Sequence, residues 1–349
     1  MEPILSPNDL EQLKTLIDDA HHIVVCCHTH PDGDAIGSCL GWTNYLRSKG
    51  KEAVVIIPNM HPDFLKWLPN SEKIVRYDKK TDFANQLIDE ADIIFMLDLN
   101  QPDRLAEMAE AVMHSRAKKA IIDHHLDPID NVEFLCSHPE ACSTCELVFR
   151  VVWELGDFAA LGTHFAAPIY CGMMTDTGGF TYNSNSSDVF FIISQLLTKG
   201  IDKDRIYRNV FHCFSENRLR LMGYVLYKKL MTFEEQHAAL FALSRADQQR
   251  FHFVKGDAEG LVNLPLQMKG TRLSISLRED TEKERNVRVS LRSVDNFPCN
   301  IMAARYFNGG GHLNASGGEL HCTLEEAIDI ATKAIMEFQP DNSNNNPQI

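Results

Sequence analysis

Nowhere does the 349-residue chain carry an apolar run long enough to cross a bilayer. Its longest runs, such as Ile93 to Leu97, fall far short of the ~20 residues that a membrane helix needs. The N-terminal stretch MEPILSPNDLEQLK lacks both a basic start and an apolar core, so no signal peptide is expected. Cysteine occurs ten times but without dense, regular spacing, and Cys26, Cys27 and Cys171 sit inside apolar runs. That weighs against a disulfide-stapled secreted scaffold and favours buried thiols in a reducing cytoplasm. Positive charge is the scarce sign. Lys and Arg total 34 against 48 Asp and Glu, for a formal charge of −14. A protein that grips long duplex nucleic acid presents a broad basic surface, so that partner class is disfavoured, though a local basic pocket is not. Carboxylates that hold divalent cations also count as negative until the metal is included.

The length suits two domains and a short tail, and 44% hydrophobic residues suffice for ordinary cores. The first half alternates short apolar runs with amphipathic stretches, the pattern of a parallel α/β sheet. Strands are expected at 23–27, 54–57, 93–97 and 120–122, with a fifth at 169–174. A helix over 35–49 stops at Gly50. A helical connector with Arg205, Arg208, Arg218 and Arg220 follows. Period-two runs at 239–243, 273–277 and 287–291 then mark a smaller α/β domain with a mixed sheet. The expected organisation is a first domain over 1–195, a connector over 196–230 and a second domain over 231–338. The polar tail 339–349 is expected to be disordered.

Acidic and imidazole residues crowd the strand ends of the first domain. His28, Asp32 and Asp34 follow the first strand, and Asp98 follows IIFML. Asp123, His124 and His125 follow the run at 120–122, and Asp176 follows CGMMT. Each alone reads equally well as a cap or turn residue. Together they would set many carboxylates along one sheet edge, where like charges repel unless cations neutralise them. Asp oxygens mixed with His nitrogens, without a thiolate set, suit Mn²⁺, Mg²⁺ or Co²⁺ better than structural zinc. A pair of such ions ~4 Å apart clamps a phosphoryl group and acidifies a water between them.

At these residues the chain resembles the DHH phosphoesterase superfamily: HTHPDGDAIGS, LDLN, DHH and TDTGGF match its successive motifs in order. GGGHLNASGG is similar to the signature of the DHH-associated domain that binds nucleotide. The resemblance spans roughly 23–338 and is strongest to compact two-domain members that act on pAp, nanoRNA or linear and cyclic dinucleotides. It implies a hydrolase in which His28, Asp32 and Asp98 hold one Mn²⁺-type ion. Asp34, Asp98, His124 and Asp176 would hold the other, with Asp98 bridging. His125 would lie beside the substrate phosphate, Asp123 would orient an imidazole, and His30 would be no ligand. A homodimer is also implied.

In the second domain Arg288, Ser290 and Arg292 share one strand face by period-two spacing. The resemblance assigns Arg292 and Ser293 to a substrate phosphate and leaves Arg288 open. Gly309, Gly310, Gly311 and His312 are expected to approach the nucleotide through bare backbone. The substrate is expected between the two domains. CxxC spacing at Cys142 and Cys145 has no second cysteine pair nearby, so Ser143 and Thr144 read as a helix cap. Three rivals remain: a pyrophosphatase, which the segment 308–318 argues against, a RecJ-like exonuclease, and a non-catalytic nucleotide sensor.

Overall fold

The structure, a computed structural model, describes residues 1–129, 131–254 and 256–339. The polar tail from Pro340 onward lies outside the described residues. The chain divides into two compact units, Met1–Cys213 and the residues from Phe214 on. The division falls inside the stretch read as a connector.

The first unit is built on a parallel sheet of strands β1 (His22–Cys26), β2 (Glu52–Ile57), β3 (Val75–Arg76), β4 (Ile93–Leu97), β5 (Lys118–Asp123) and β6 (Phe134–Ser137). Their spatial order is β3-β2-β1-β4-β5-β6. Strands buried on both faces read as continuous apolar runs, which is why IVVC, IIFML and AII stand out in the sequence. The helices are α1 (Pro7–Asp19), α2 (Gly33–Ser48), α3 (Thr81–Asp89), α4 (Ala109–His114), α5 (Thr144–Glu154), α6 (Thr163–Asp176), α7 (Ser187–Leu197) and α8 (Lys203–Phe211). Helix α2 starts on the Asp32 side chain, which accepts from the amides of Asp34 and Ala35 at 3.0 Å each. Just past its end Gly50 adopts φ +79°, the left-handed turn that a side chain resists.

One expectation fails here. Residues 169–174 belong to α6, not to a fifth strand, and β3 and β6 take the sheet places that the sequence did not mark. Helix α6 is buried nearly all round, so its apolar run carries no amphipathic period to separate it from a buried strand. It packs closely along α2 through a row of glycines. A Cβ at Gly37 would lie 2.5 Å from the Pro168 carbonyl oxygen, and one at Gly41 would lie 2.5 Å from Ile169. Their absence lets two backbones meet, and so draws Asp34 and Asp176 toward one point.

The second unit is a mixed sheet of β7 (Met231–Phe233), β8 (Ala238–Leu243), β9 (Leu273–Glu279), β10 (Val287–Ser293), β11 (Gly310–His312) and β12 (Ala315–Leu320). Its order is β11-β12-β10-β9-β8-β7, with only β8 and β9 parallel. The helices are α9 (Glu216–Tyr224), α10 (Arg245–Arg250), α11 (Cys299–Tyr306) and α12 (Leu324–Glu337). Helices α11 and α12 cover the face formed by Leu240, Ile275, Val289 and Leu291. Among the described residues no helix is long and apolar enough to cross a membrane.

Candidate metal centre

In an open parallel sheet, ligands gather beyond the carboxyl ends of the strands where the strand order reverses. Here that point lies between β1 and β4. His28 follows β1, Asp98 follows β4, and their side chains meet at 3.3 Å. The next strand, β5, ends in Asp123 and delivers His124 and His125. The start of α2 brings Asp32 and Asp34, and the end of α6 brings Asp176.

The side chains form three overlapping groups of ligand type: His28, Asp32 and Asp98; Asp34, His124 and Asp176; and Asp98, His124 and His125. Within each group the ligand atoms lie within 4.8 Å of one another. Nε2 of His124 has oxygens of Asp98, Asp176 and Asp34 at 3.6, 3.7 and 4.0 Å. Those separations exceed hydrogen-bond length. They are wider than the roughly 3 Å between adjacent ligand atoms on an octahedral ion with bonds of ~2.1 Å, yet close enough for all four atoms to reach a common point. The donor set fits divalent cations of the Mn²⁺ or Mg²⁺ kind. The two oxygens of Asp98 face different imidazoles, one toward His28 at 3.3 Å and the other toward His124 at 3.6 Å.

Electrostatics support that fit. Burial raises the Asp34 carboxyl, and neighbouring Asp98 pushes it further, to about 7. Asp176 is raised well above its ordinary value, first by burial and then by Asp34. Burial opposes charge on His28, but Asp98 outweighs it and lifts the imidazole to about 10. His124 rises to about 9, where Asp98, Asp34 and Asp176 together overcome burial. For Asp98 itself burial is overcome by His28, and the carboxyl falls below the ordinary range. The imidazoles and carboxylates thus lean on one another for charge balance, and bound cations would compete with the protons of the imidazoles.

Neighbouring groups aim these side chains. Asp98 adopts φ +55°, a left-handed conformation that costs about 1 kcal/mol in a non-glycine residue. The amides of Thr144 and Cys145, at the start of α5, donate to the two oxygens of Asp34 at 2.7 and 2.9 Å. The Thr144 hydroxyl donates to Asp98 at 3.2 Å. Asp123 is fully buried and accepts from His125 twice, at 3.0 Å from the amide and 2.8 Å from Nδ1. Asn59 accepts from the His30 amide at 2.8 Å and donates to the Thr29 hydroxyl at 2.6 Å, which braces the loop between His28 and Asp32. Asn59 carries no signal in the sequence, and the cap reading of Thr144 and the CxxC spacing of Cys145 do not reveal that their amides face Asp34. The SxxE helix-start pattern at Ser143 was visible, but not what that helix start would face. Ser143 does cap α5, accepting from the Glu146 amide at 3.1 Å, and Cys142 and Cys145 are buried free thiols.

In the second unit Arg288, Ser290 and Arg292 share one face of β10 against buried Val287, Val289 and Leu291. Arg288 pairs with Asp280 at 3.0 Å. The Arg292 guanidinium donates to the Leu291 carbonyl at 2.8 Å. The Ser293 hydroxyl donates to the Phe297 carbonyl at 2.7 Å and so holds its own turn. Gly310, Gly311 and His312 form the exposed edge strand β11. A Cβ at Gly309 would lie 1.8 Å from the Gly317 carbonyl oxygen, and one at Gly311 would lie 2.6 Å from that of Ala315. Those two glycines are required by the hairpin itself, while a Cβ at Gly310 meets only open space.

Residues 22–173 match the model of the DHH family, N-terminal domain. Over 320 residues the chain is 28% identical to the bifunctional oligoribonuclease and PAP phosphatase NrnA of Thermus thermophilus, covering 90% of this chain and 89% of that one. It is 24% identical to the cyclic-di-AMP phosphodiesterase GdpP of Geobacillus thermodenitrificans, covering 93% of this chain but 49% of that longer relative. Among solved structures, an exopolyphosphatase-related protein from Bacteroides fragilis aligns with a TM-score of 0.94 and 49% identity, over 97% of this chain and 98% of that one.

Proposed function

We propose that this chain, whose residues 22–173 match the model of the DHH family, N-terminal domain, is a two-metal phosphoesterase acting on pAp and on short linear oligonucleotides such as pApA. Cyclic di-AMP is a further substrate to test, in view of the phosphodiesterase relative. The observation that carries this reading is the meeting of three ligand groups on Asp98 and His124 at the switch point of the sheet.

Two divalent ions, Mn²⁺ for this mixed oxygen and nitrogen donor set, would neutralise phosphoryl charge and acidify the attacking water. His28, Asp32 and Asp98 would hold one, and Asp34, Asp98, His124 and Asp176 the other. The α5 amides keep Asp34 in place, so its carboxylate keeps one orientation as charge around it changes. Asp123 accepts the Nδ1 proton of His125, which sets the tautomer and the ring direction. His125 thereby serves as the hydrogen-bond donor to the phosphate or the acid for the leaving oxygen. In the second unit, Arg292, the Gly310 backbone and His312 take the phosphate and nucleoside of the substrate that do not react. Ser293, Gly309 and Gly311 shape that surface. Cytoplasmic residence and a homodimer belong to the same proposal.

The test is a Mn²⁺-dependent hydrolysis panel of pAp, pApA, cyclic di-AMP, RNA of two to twenty-four nucleotides and pyrophosphate. Turnover confined to pAp and short species supports the reading. Nucleotide binding with no turnover would replace it with a non-catalytic sensor, and processive digestion of long single strands would replace it with an exonuclease.

A further inference from the structure

A cleft of about 640 Å³ lies wholly within the second unit, lined by Gly223, Tyr224, Tyr227, Lys228, Lys229 and Arg250. It is shallow and open to solvent, so an occupant would rest against its lining rather than be enclosed by it. On a chain of charge −14 its lining carries three cations and no carboxylate. Two features show how it is built. Asp247 accepts from Tyr224 at 2.9 Å and pairs with Lys229 at 2.7 Å, so one wall is tied down from behind. Lys228 and Arg250, by contrast, have no carboxylate partner among the described residues. The Lys228 ammonium lies 4.5 Å from the centre of the Tyr227 ring, and the Arg250 guanidinium 5.2 Å from that of Tyr224.

Tyr227 itself is 81% exposed. It sits in a π-helical turn, Val225–Lys229, a distortion that α9 adopts at its end and that proteins use chiefly at functional sites. Cations near a helix end are also favoured by the helix dipole alone. That account covers Lys228 and Lys229, but not Arg250, which arrives from the separate helix α10, nor the outward exposure of Tyr227. An aromatic face beside unpaired cations is the combination that takes a base by stacking and its phosphate by charge.

We propose that this cleft is a second nucleotide-binding site, with a base on the Tyr227 ring and a phosphate between Lys228 and Arg250. Its occupant is either a free nucleoside monophosphate or one nucleotide unit of a longer single strand. The two share this chemistry and differ in what competes for the site. Occupancy needs no metal, so it does not depend on the hydrolytic reading.

Two variants test it. Tyr227→Ala removes the stacking face. Gly223→Glu introduces a carboxylate, and a Cβ at Gly223 meets nothing within 4 Å, so the fold tolerates it. Binding of fluorescein-labelled hexaadenylate to the full chain is measured by anisotropy in EDTA, which prevents hydrolysis, with AMP as competitor. Each variant is expected to weaken binding about 10-fold, while Mn²⁺-dependent turnover of pAp stays at the wild-type level. Competition by AMP that is lost in the variants identifies a mononucleotide site. Weakened hexaadenylate binding without AMP competition identifies a site for linked nucleotides. Wild-type affinity for both ligands in both variants would overturn the proposal, whatever the turnover panel shows.

Discussion

The carboxylate of Asp34 is gripped by the start of α5, accepting from the Thr144 amide at 2.7 Å. This contact joins residues 110 positions apart and carries the logic of the centre. A buried carboxylate among other carboxylates is expensive, and the first amides of a helix are donors with no intrahelical partner. Each satisfies the other. The Thr144 side chain extends the same role to Asp98 through its hydroxyl at 3.2 Å. Thr144→Val keeps the amide and the shape but deletes that hydroxyl. Mn²⁺ affinity is expected to fall about 10-fold, as for other partners that orient metal ligands. Titration calorimetry on the two proteins reads the difference, and equal affinities would show that the hydroxyl orients nothing.

Asp98→Asn removes the bridging charge while keeping size and the Thr144 contact. Turnover of pAp is expected to drop by about 10³-fold. Asn keeps the side-chain volume and an acceptor for the Thr144 hydroxyl, so the protein is expected to stay folded. Near-normal rates in that variant would reject the two-metal assignment.

Metal loading is expected to release protons. The metal-free centre carries them on His28, lifted to about 10, and on His124, lifted to about 9. Ligation requires both imidazoles to be neutral. Apparent Mn²⁺ affinity therefore climbs steeply between pH 6 and 9. Binding heats measured in buffers of different ionisation enthalpy give the proton count, and a count near zero at pH 7.5 contradicts this charge pattern.

How far the sequence alone leads differs from residue to residue. His28, Asp98, Asp123 and His124 follow apolar runs directly, so strand and strand-end chemistry are visible together. Asp176 is visible only as a residue after an apolar run. The run is helix α6 rather than a strand, because burial all round erases the period that would tell them apart. Strand β3 has two residues, too few for any pattern. The hold on Asp34 by α5 is invisible for another reason: it uses backbone amides, which every residue but proline possesses.

Gly172 on α6 sits at a close approach beside the centre. A Cβ there would lie 2.2 Å from the Cys145 sulfur and 3.1 Å from the Asp34 Cα. Gly172→Ala must push α6 away from α5 and α2, at a cost of about 1–3 kcal/mol. It also moves Asp176 away from Asp34, so Mn²⁺ affinity falls along with thermal stability. A double variant, Gly172→Ala with Cys145→Ala, makes room and is expected to recover most of both losses. Recovery of neither would place the strain elsewhere.

The second unit supplies a pH test that is independent of metal. Lys229, Ser244 and Tyr224 surround Asp247, overcome the cost of its burial and lower its carboxyl from 3.8 to about 2. A carboxyl depressed in the folded state adds stability that is complete above the unfolded value and disappears as pH falls through the folded one. The window is therefore roughly pH 4 down to 2. Partial solvent screening of the Lys229 pair holds the contribution to about 1–2 kcal/mol. Asp247→Asn is expected to be less stable than wild type by that amount at pH 6. Urea midpoints for the two proteins then draw together as pH is lowered through 3 toward 2, because wild type loses what the variant never had. A gap that stayed constant with pH would mean that the Asp247 charge contributes nothing and that only the shape of its hydrogen bonds matters.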